Sequence, residues 1–125
     1  MILLDTNYLI RTLVKDSREG RRVRRWFSRG EELCTSGIVW YEFLCGPVDE
    51  EAVQIVLSLL GGRVLPFTAD QATESARLFN AIGRTRRLRV DVMIAAAAIM
   101  SKAALATENV EDFRTFVPFG LRIVV

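Results

Sequence analysis

The sequence predicts an α/β fold built on a mostly parallel sheet, and three observations predict it. Short apolar runs that stop at polar residues alternate with longer stretches of helical periodicity along the whole chain. Half of the 125 residues are hydrophobic, enough for one domain that buries roughly two-thirds of its unfolded surface, and the chain is too short for two. No internal repeat, low-complexity tract or long linker divides it, so residues 1–125 read as a single domain.

The apolar start, Met1 to Leu4, stops at Asp5-Thr6-Asn7, which predicts a short buried strand turning into a helix. Residues 17–29 place Val23, Trp26 and Phe27 at helical spacing, surround them with arginines 18, 21, 22, 24, 25 and 29, and stop at Gly30. This is a basic amphipathic helix. Leu33 to Thr35 suits a second strand, and a helix from about Gly37 ends at Gly46-Pro47. Further helices are expected at about 49–60 and 69–83, separated by Gly61-Gly62 and a short strand at Val64-Leu65. The arginine-rich stretch 84–89 precedes an alanine-rich helix from about Val92 to Lys102. A strand near Ala104 to Ala106 and a last one from Leu121 to Val125 complete the sheet. In an open parallel sheet, ligands bind beyond the carboxyl ends of the strands, and Asp5 falls at such an end.

Composition narrows the chemistry. Without histidine the chain lacks the commonest general base near pH 7, every Ser-His-Asp or Cys-His arrangement and the usual zinc ligand set. Hydrolysis here must rest mainly on carboxylates and metal. The net charge is only +2, yet all but two of the 17 basic residues are arginine, whose planar fork suits phosphate and carboxylate. Cys34 and Cys45 read as buried thiols rather than a disulfide. The longest apolar run, Val92 to Met100, is far below the roughly 20 residues of a membrane-spanning helix, so a soluble, cytoplasmic protein without membrane attachment is expected.

Three carboxylates look out of place. Glu42 sits in Ile38-Val39-Trp40-Tyr41-Glu42-Phe43-Leu44, a helix that its neighbours predict to be largely buried. Asp91 is the only charged residue between Arg89 and Lys102, and Asp5 closes an apolar strand. Singly, Asp5 or Asp91 could cap a helix and Glu42 could lie on an exposed stripe or pair with an arginine. A divalent cation explains all three together, because converging carboxylates repel one another and bind Mg²⁺ or Mn²⁺ through hard oxygens.

On these residues the chain resembles the PIN-domain ribonucleases, and within them the VapC-type toxins of bacterial and archaeal toxin–antitoxin pairs. The resemblance spans essentially the whole chain: LLDTN at Leu3 to Asn7, the lone Glu42, the Asp91 of VDVMIAAAAIM, and LATENVEDF at Leu105 to Phe113. It implies a three-layer α/β/α sandwich with a short sheet of about four to five strands, and a metal-dependent endoribonuclease using Mg²⁺ or Mn²⁺. By the same resemblance Asp5, Glu42 and Asp91 are the metal-binding and catalytic acids, with Thr6 and Thr107 in support and Asn7 orienting the first acid. Where the family often carries a fourth acid, this chain has Asn109; Asp112 lies nearby as a substitute, although Asn109 also suits an N-cap and Asp112 a first-turn acid. One firmly held metal is therefore expected rather than two. The family further implies an RNA substrate, a small antitoxin whose C-terminal segment covers the cleft, and a homodimer.

The arginines of 18–29 suit RNA phosphates, an antitoxin groove shared with the first helix, or plain solvation. Arg84, Arg86, Arg87 and Arg89, just before Asp91, are better placed to hold a substrate phosphate. Trp26, Phe27, Trp40, Tyr41, Phe43, Phe67 and Phe79 read as core rather than as stacking surfaces for bases. A dehalogenase-type phosphatase would need an aspartate where Asn7 stands, and a receiver domain would need a better-placed lysine than Lys102. The competing reading is a non-catalytic PIN-like module that binds RNA or protein.

Overall fold

The computed structural model describes residues 1–124. Strand β1 (Ile2–Leu4) is followed by helices α1 (Thr6–Thr12) and α2 (Arg18–Ser28), strand β2 (Leu33–Ser36), and helices α3 (Gly37–Leu44) and α4 (Glu50–Leu60). Strand β3 (Val64–Leu65), helices α5 (Ala69–Ala81) and α6 (Arg89–Met100), strand β4 (Ala104–Ala106) and helix α7 (Val110–Phe113) complete the chain. Single-turn and longer 3₁₀ segments, Arg86–Leu88 and Arg114–Phe119, precede α6 and follow α7.

Short polar side chains fix the helix starts. Ser17, Ser36, Asp49 and Thr68 each accept a backbone N–H from the first turn of α2, α3, α4 and α5, and Asp5 accepts the Thr6 N–H at the head of α1. Gly61 ends α4 at φ 58°, a left-handed backbone that glycine adopts without strain.

All strand pairs are parallel, in the order β3-β2-β1-β4. Every residue of β1 and β2 is buried although successive side chains point to opposite faces, so helices cover the sheet on both sides as a three-layer α/β/α sandwich. The chain builds outward from β1 to β3 and then returns to place β4 on the other side of β1. That reversal opens a crevice at the carboxyl ends of β1 and β4.

Helix α6 is the central one. Ile94 and Ala95 to Ala98 are all buried, and α6 packs on α3, α5, β2 and β4, the small side chains letting these elements approach. It begins at Arg89 and stops at Met100, three residues before and two before the sequence-based bounds. Lys102 therefore falls outside it, exposed and at φ 56°.

Other expectations are corrected here. The last strand shrinks to one parallel bridge, Leu105 to Ile123, held by Leu105 N–H to Arg122 C=O and Val124 N–H to Leu105 C=O, both 2.8 Å. Its apolar residues rest at a sheet edge, and Val125 lies outside the described residues. Helix α3 is not largely buried: Val39 and Phe43 are, but Tyr41 is 70% and Leu44 45% exposed. Phe27 is also exposed, leaving it and Tyr41 outside the core, whereas Trp26, Trp40 and Phe79 pack against it. Only Cys34 is a buried thiol, with burial pushing its pKa up to about 11; Cys45, at the open end of α3, is exposed.

Candidate active site

The end of β1 delivers Asp5 into the crevice and holds it there. Its backbone N–H donates to Ala106 C=O at 3.0 Å, which continues the β1–β4 ladder by one residue. Its side chain is buried, and each oxygen accepts one hydrogen bond: Oδ1 from the Thr6 N–H at 2.8 Å, Oδ2 from the Thr107 hydroxyl at 2.7 Å. Burial raises the Asp5 pKa and these two hydrogen bonds oppose the rise. Thr107 stands just past β4, so the two strands beside the crevice grip one carboxylate from both sides. The cap reading of Asp5 is thus satisfied without using up the carboxylate's lone pairs.

Thr6 also ties the second acid to the first. Its hydroxyl donates to Glu42 Oε1 at 3.0 Å, while its backbone N–H serves Asp5. Glu42 is exposed on the open face of α3, which is why a carboxylate is tolerated amid apolar neighbours. Asn7 stands outside this network: it is exposed and forms no side-chain hydrogen bond with a described residue, so the structure does not bring it to Asp5.

Asp91 lies in the first turn of α6, where the helix N-terminus favours negative charge, but it is not the cap; Leu88 occupies that position. Its pKa is pushed up to about 6, first by burial and then by the negative charges of Asp5, Asp112 and Glu42, with Arg87 pulling the other way. Three acids from three other segments thus lie within electrostatic reach of Asp91. Among the described residues, no three of them stand grouped tightly enough to enclose an ion as they are.

The segment after β4 places Asn109 at the cap position of α7 and Asp112 in its first turn, as the capping reading expects, but without the capping bond. The Asn109 amide donates instead to Asp112 Oδ2 at 3.0 Å, and its backbone N–H donates to Thr107 Oγ at 3.0 Å. Asp112 also accepts from Arg87 at 2.7 Å, which with the Asn109 bond holds its carboxyl below the usual range. Arg87 is thus committed to Asp112 across the crevice, and the other three arginines of its stretch are not.

The profile of the PIN domain family matches residues 2–116. This chain belongs to the PIN domain family. No curated protein matches it in sequence. Among solved structures it is similar to one of FitAB bound to an IR36 DNA fragment, with 24% identity, a TM-score of 0.75 and coverage of 99% of this chain and 94% of that one. A toxin–antitoxin complex from Klebsiella pneumoniae is similar at 24% identity and TM-score 0.71, covering 90% of each chain. VapBC2 from Rickettsia felis, bound to a fragment of its promoter DNA, is similar at 22% identity and TM-score 0.70, covering 91% and 92%.

In this PIN domain a groove of about 470 Å³ opens beside the crevice, lined by Tyr8, Arg18, Glu19, Arg22, Thr107 and Glu108 among others. Arg22 donates to the Tyr8 hydroxyl at 2.7 Å and lies 5.0 Å from the Trp26 ring centroid, while Arg11 pairs with Glu108 at 3.3 Å. The Arg22–Trp26 spacing of one helical turn was visible in the sequence. Tyr8 and Glu108 were not singled out, and only their meeting in space marks them.

Proposed function

We propose that this PIN domain is a metal-dependent endoribonuclease and the toxin of a toxin–antitoxin pair. The observation that carries the reading is the bonded pair of acids at the carboxyl ends of β1 and β4: Asp5 is held through both oxygens by the Thr6 N–H and the Thr107 hydroxyl, Glu42 is tied to it through the Thr6 hydroxyl, and both charges raise the pKa of the Asp91 carboxyl. A chain keeps such repulsion where a positive charge is to enter.

The donor set fits a hard divalent cation. It offers only oxygens, with no histidine or cysteine, and Asp5 has both oxygens oriented by hydrogen bonds while Asp91 has no side-chain hydrogen-bond partner among the described residues. Asp5, Asp91 and Glu42 would hold Mg²⁺ or Mn²⁺, which when bound stabilises charge on a phosphoryl oxygen and makes a water more acidic. Thr6 and Thr107 fix the orientation of Asp5, as outer partners of metal ligands do. Glu42, steadied through Oε1 by Thr6, and Asp91 are the groups that orient the attacking water or take its proton. With Asp112 engaged by Arg87, three acids remain for the ion, which supports one firmly held metal.

The similarity to a toxin–antitoxin complex from Klebsiella pneumoniae supports a small antitoxin partner. Its segment would occupy the groove of Tyr8, Arg18 and Arg22, which shares Thr107 with the acidic crevice. A homodimer is part of the same proposal. None of the described helices is long and apolar enough to cross a membrane.

The test is cleavage of structured and unstructured RNA by the purified protein with Mg²⁺, Mn²⁺ or EDTA, beside an Asp5→Asn variant checked for folding. Metal-dependent cutting that disappears in the folded variant is the expected result. Cutting that survives in EDTA, or in folded Asp5→Asn, would overturn it.

A further inference from the structure

The arginine-rich turn between α5 and α6 sends its side chains to two different places. Arg87 crosses to Asp112 at the acidic crevice. Arg84, Arg86 and Arg89 instead line a separate pocket of about 230 Å³ together with Phe79. Helical geometry explains the division: Arg86 and Arg89 are three residues apart on a turn that runs into α6 and so share a side, while Arg87 does not.

The pocket is built around Arg84. This residue has φ 60°, uncommon outside glycine, and two hydrogen bonds hold it there: its N–H donates to Phe79 C=O at 2.9 Å, and its guanidinium donates to Asn80 Oδ1 at 2.7 Å. The guanidinium carbon lies 5.5 Å from the Phe79 ring centroid. Arg86 and Arg89 form no side-chain hydrogen bond or ion pair with a described residue, and no carboxylate lines the pocket. Three guanidiniums without a counter-charge call for an anion, and their forks match the oxygens of a phosphate. Phe79, packed on the core, serves to steady the Arg84 guanidinium that lies over its ring.

Position names the source of the phosphate. Arg89 and Asp91 face nearly opposite sides of α6, but Arg87, next to Arg86 in the turn, reaches Asp112 at the crevice, so the pocket and the carboxylates flank the same helix start and a strand gripped at one can pass to the other. We propose that the pocket of Arg84, Arg86, Arg89 and Phe79 binds a backbone phosphate of the RNA and holds the strand beside the acidic crevice. The inference rests on the ribonuclease reading, but its test does not depend on cleavage.

Binding of a fluorescein-labelled single-stranded RNA is followed by anisotropy in EDTA across a salt series. Arg86→Gln/Arg89→Gln should bind about tenfold more weakly, and its slope of log affinity on log salt should be shallower by about 0.7, the value for the one phosphate that the variant no longer neutralises. Arg77→Gln/Arg114→Gln, with the same change in net charge on exposed sites that do not line the pocket, should bind within about twofold of wild type. Equal loss in both variants, or no loss in the first, overturns the proposal. A measurement on the unaltered protein guards against misfolding: the RNA should protect Arg86 and Arg89 from phenylglyoxal, as mapped by mass spectrometry. If inorganic phosphate or a mononucleotide protects them equally well, the pocket serves a free phosphate. If oligoglutamate does, it docks an acidic protein segment. Either result overturns the assignment to RNA. Binding that behaves as expected beside a wild-type protein that cuts no RNA in Mn²⁺ would instead strike the ribonuclease reading alone.

Discussion

The core beneath the sheet and the crevice at its edge treat polar groups in opposite ways. In the core the Thr35 hydroxyl donates to Leu4 C=O at 2.8 Å, Ser36 Oγ accepts the Val39 N–H at 3.2 Å, and the Ser75 hydroxyl donates to Gln71 C=O at 2.6 Å. Only the Gln71 amide oxygen, among the described residues, is buried without a partner. In the crevice, Asp91 has no such partner and faces three other acids. Apart from that oxygen the core is satisfied by the chain alone, whereas the crevice keeps like charges within reach of one another. Substitutions in the two places should therefore change stability with opposite sign.

The largest effect belongs to the core. Phe116→Ala empties a fully buried aromatic site and should lower unfolding free energy by about 3–5 kcal/mol in a denaturant titration. A loss below about 1 kcal/mol would mean that the 3₁₀ segment is not part of the cooperative core.

Thr107→Val tests the boundary between the two regions. It deprives buried Asp5 Oδ2 of its donor and the Asn109 N–H of its acceptor, so a loss of about 1–3 kcal/mol is expected, with weaker metal binding by calorimetry. Unchanged values for both quantities would show that β4 does not hold the carboxylate.

Asp91→Asn should act in the reverse direction. A shift from 3.8 to about 6 corresponds to roughly 3 kcal/mol, and screening in a half-open crevice reduces this to a gain of about 1–2 kcal/mol for metal-free protein at pH 7. The sign of the pH dependence follows. Because the folded carboxyl binds its proton more tightly than the unfolded one, wild-type stability from this group is greatest below about pH 4 and is lost as pH rises through about 6. The thermal midpoint of metal-free wild type should fall between pH 5 and 7 more steeply than that of Asp91→Asn, as scanning calorimetry would register. Parallel curves would refute the charge repulsion.

The smallest effect is reserved for the pair that spans the crevice mouth. Arg87 and Asp112 are both at the solvent boundary, so Arg87→Gln should leave the unfolding midpoint within error of wild type while making Asp112 available to cations. Tighter Mn²⁺ binding in that variant would sharpen the contrast, since the latch would then be a constraint on the site rather than on the fold.

Much of this arrangement could be read from the sequence where the signal is local. The apolar run ending at Asp5 marks both strand and corner, and the Val64-Leu65 and Ala104 to Ala106 strands stand where their apolar runs do. What was not legible depends on the far side of each contact. Tyr41, Leu44 and Cys45 look like core in one dimension, and only the absence of an element packed over that face of α3 exposes them. The apolar end of the chain suggested a full strand, but it meets a sheet edge that offers it one bridge. The commitment of Arg87 to Asp112, 25 residues away, exists only because α7 folds back over the start of α6. The acids could be picked out as anomalies, whereas the two threonines that orient Asp5 could be chosen only through resemblance.

The grip on Asp5 has a consequence for the order of events during synthesis. Thr107, which holds the second oxygen of the aspartate, follows it by 102 residues, and β1 can pair with β4 only after that strand exists. A growing chain that has released its first helices but not yet its last strand has its acids unassembled. Any chemistry that needs Asp5 held by both threonines therefore waits until β1 and β4 meet.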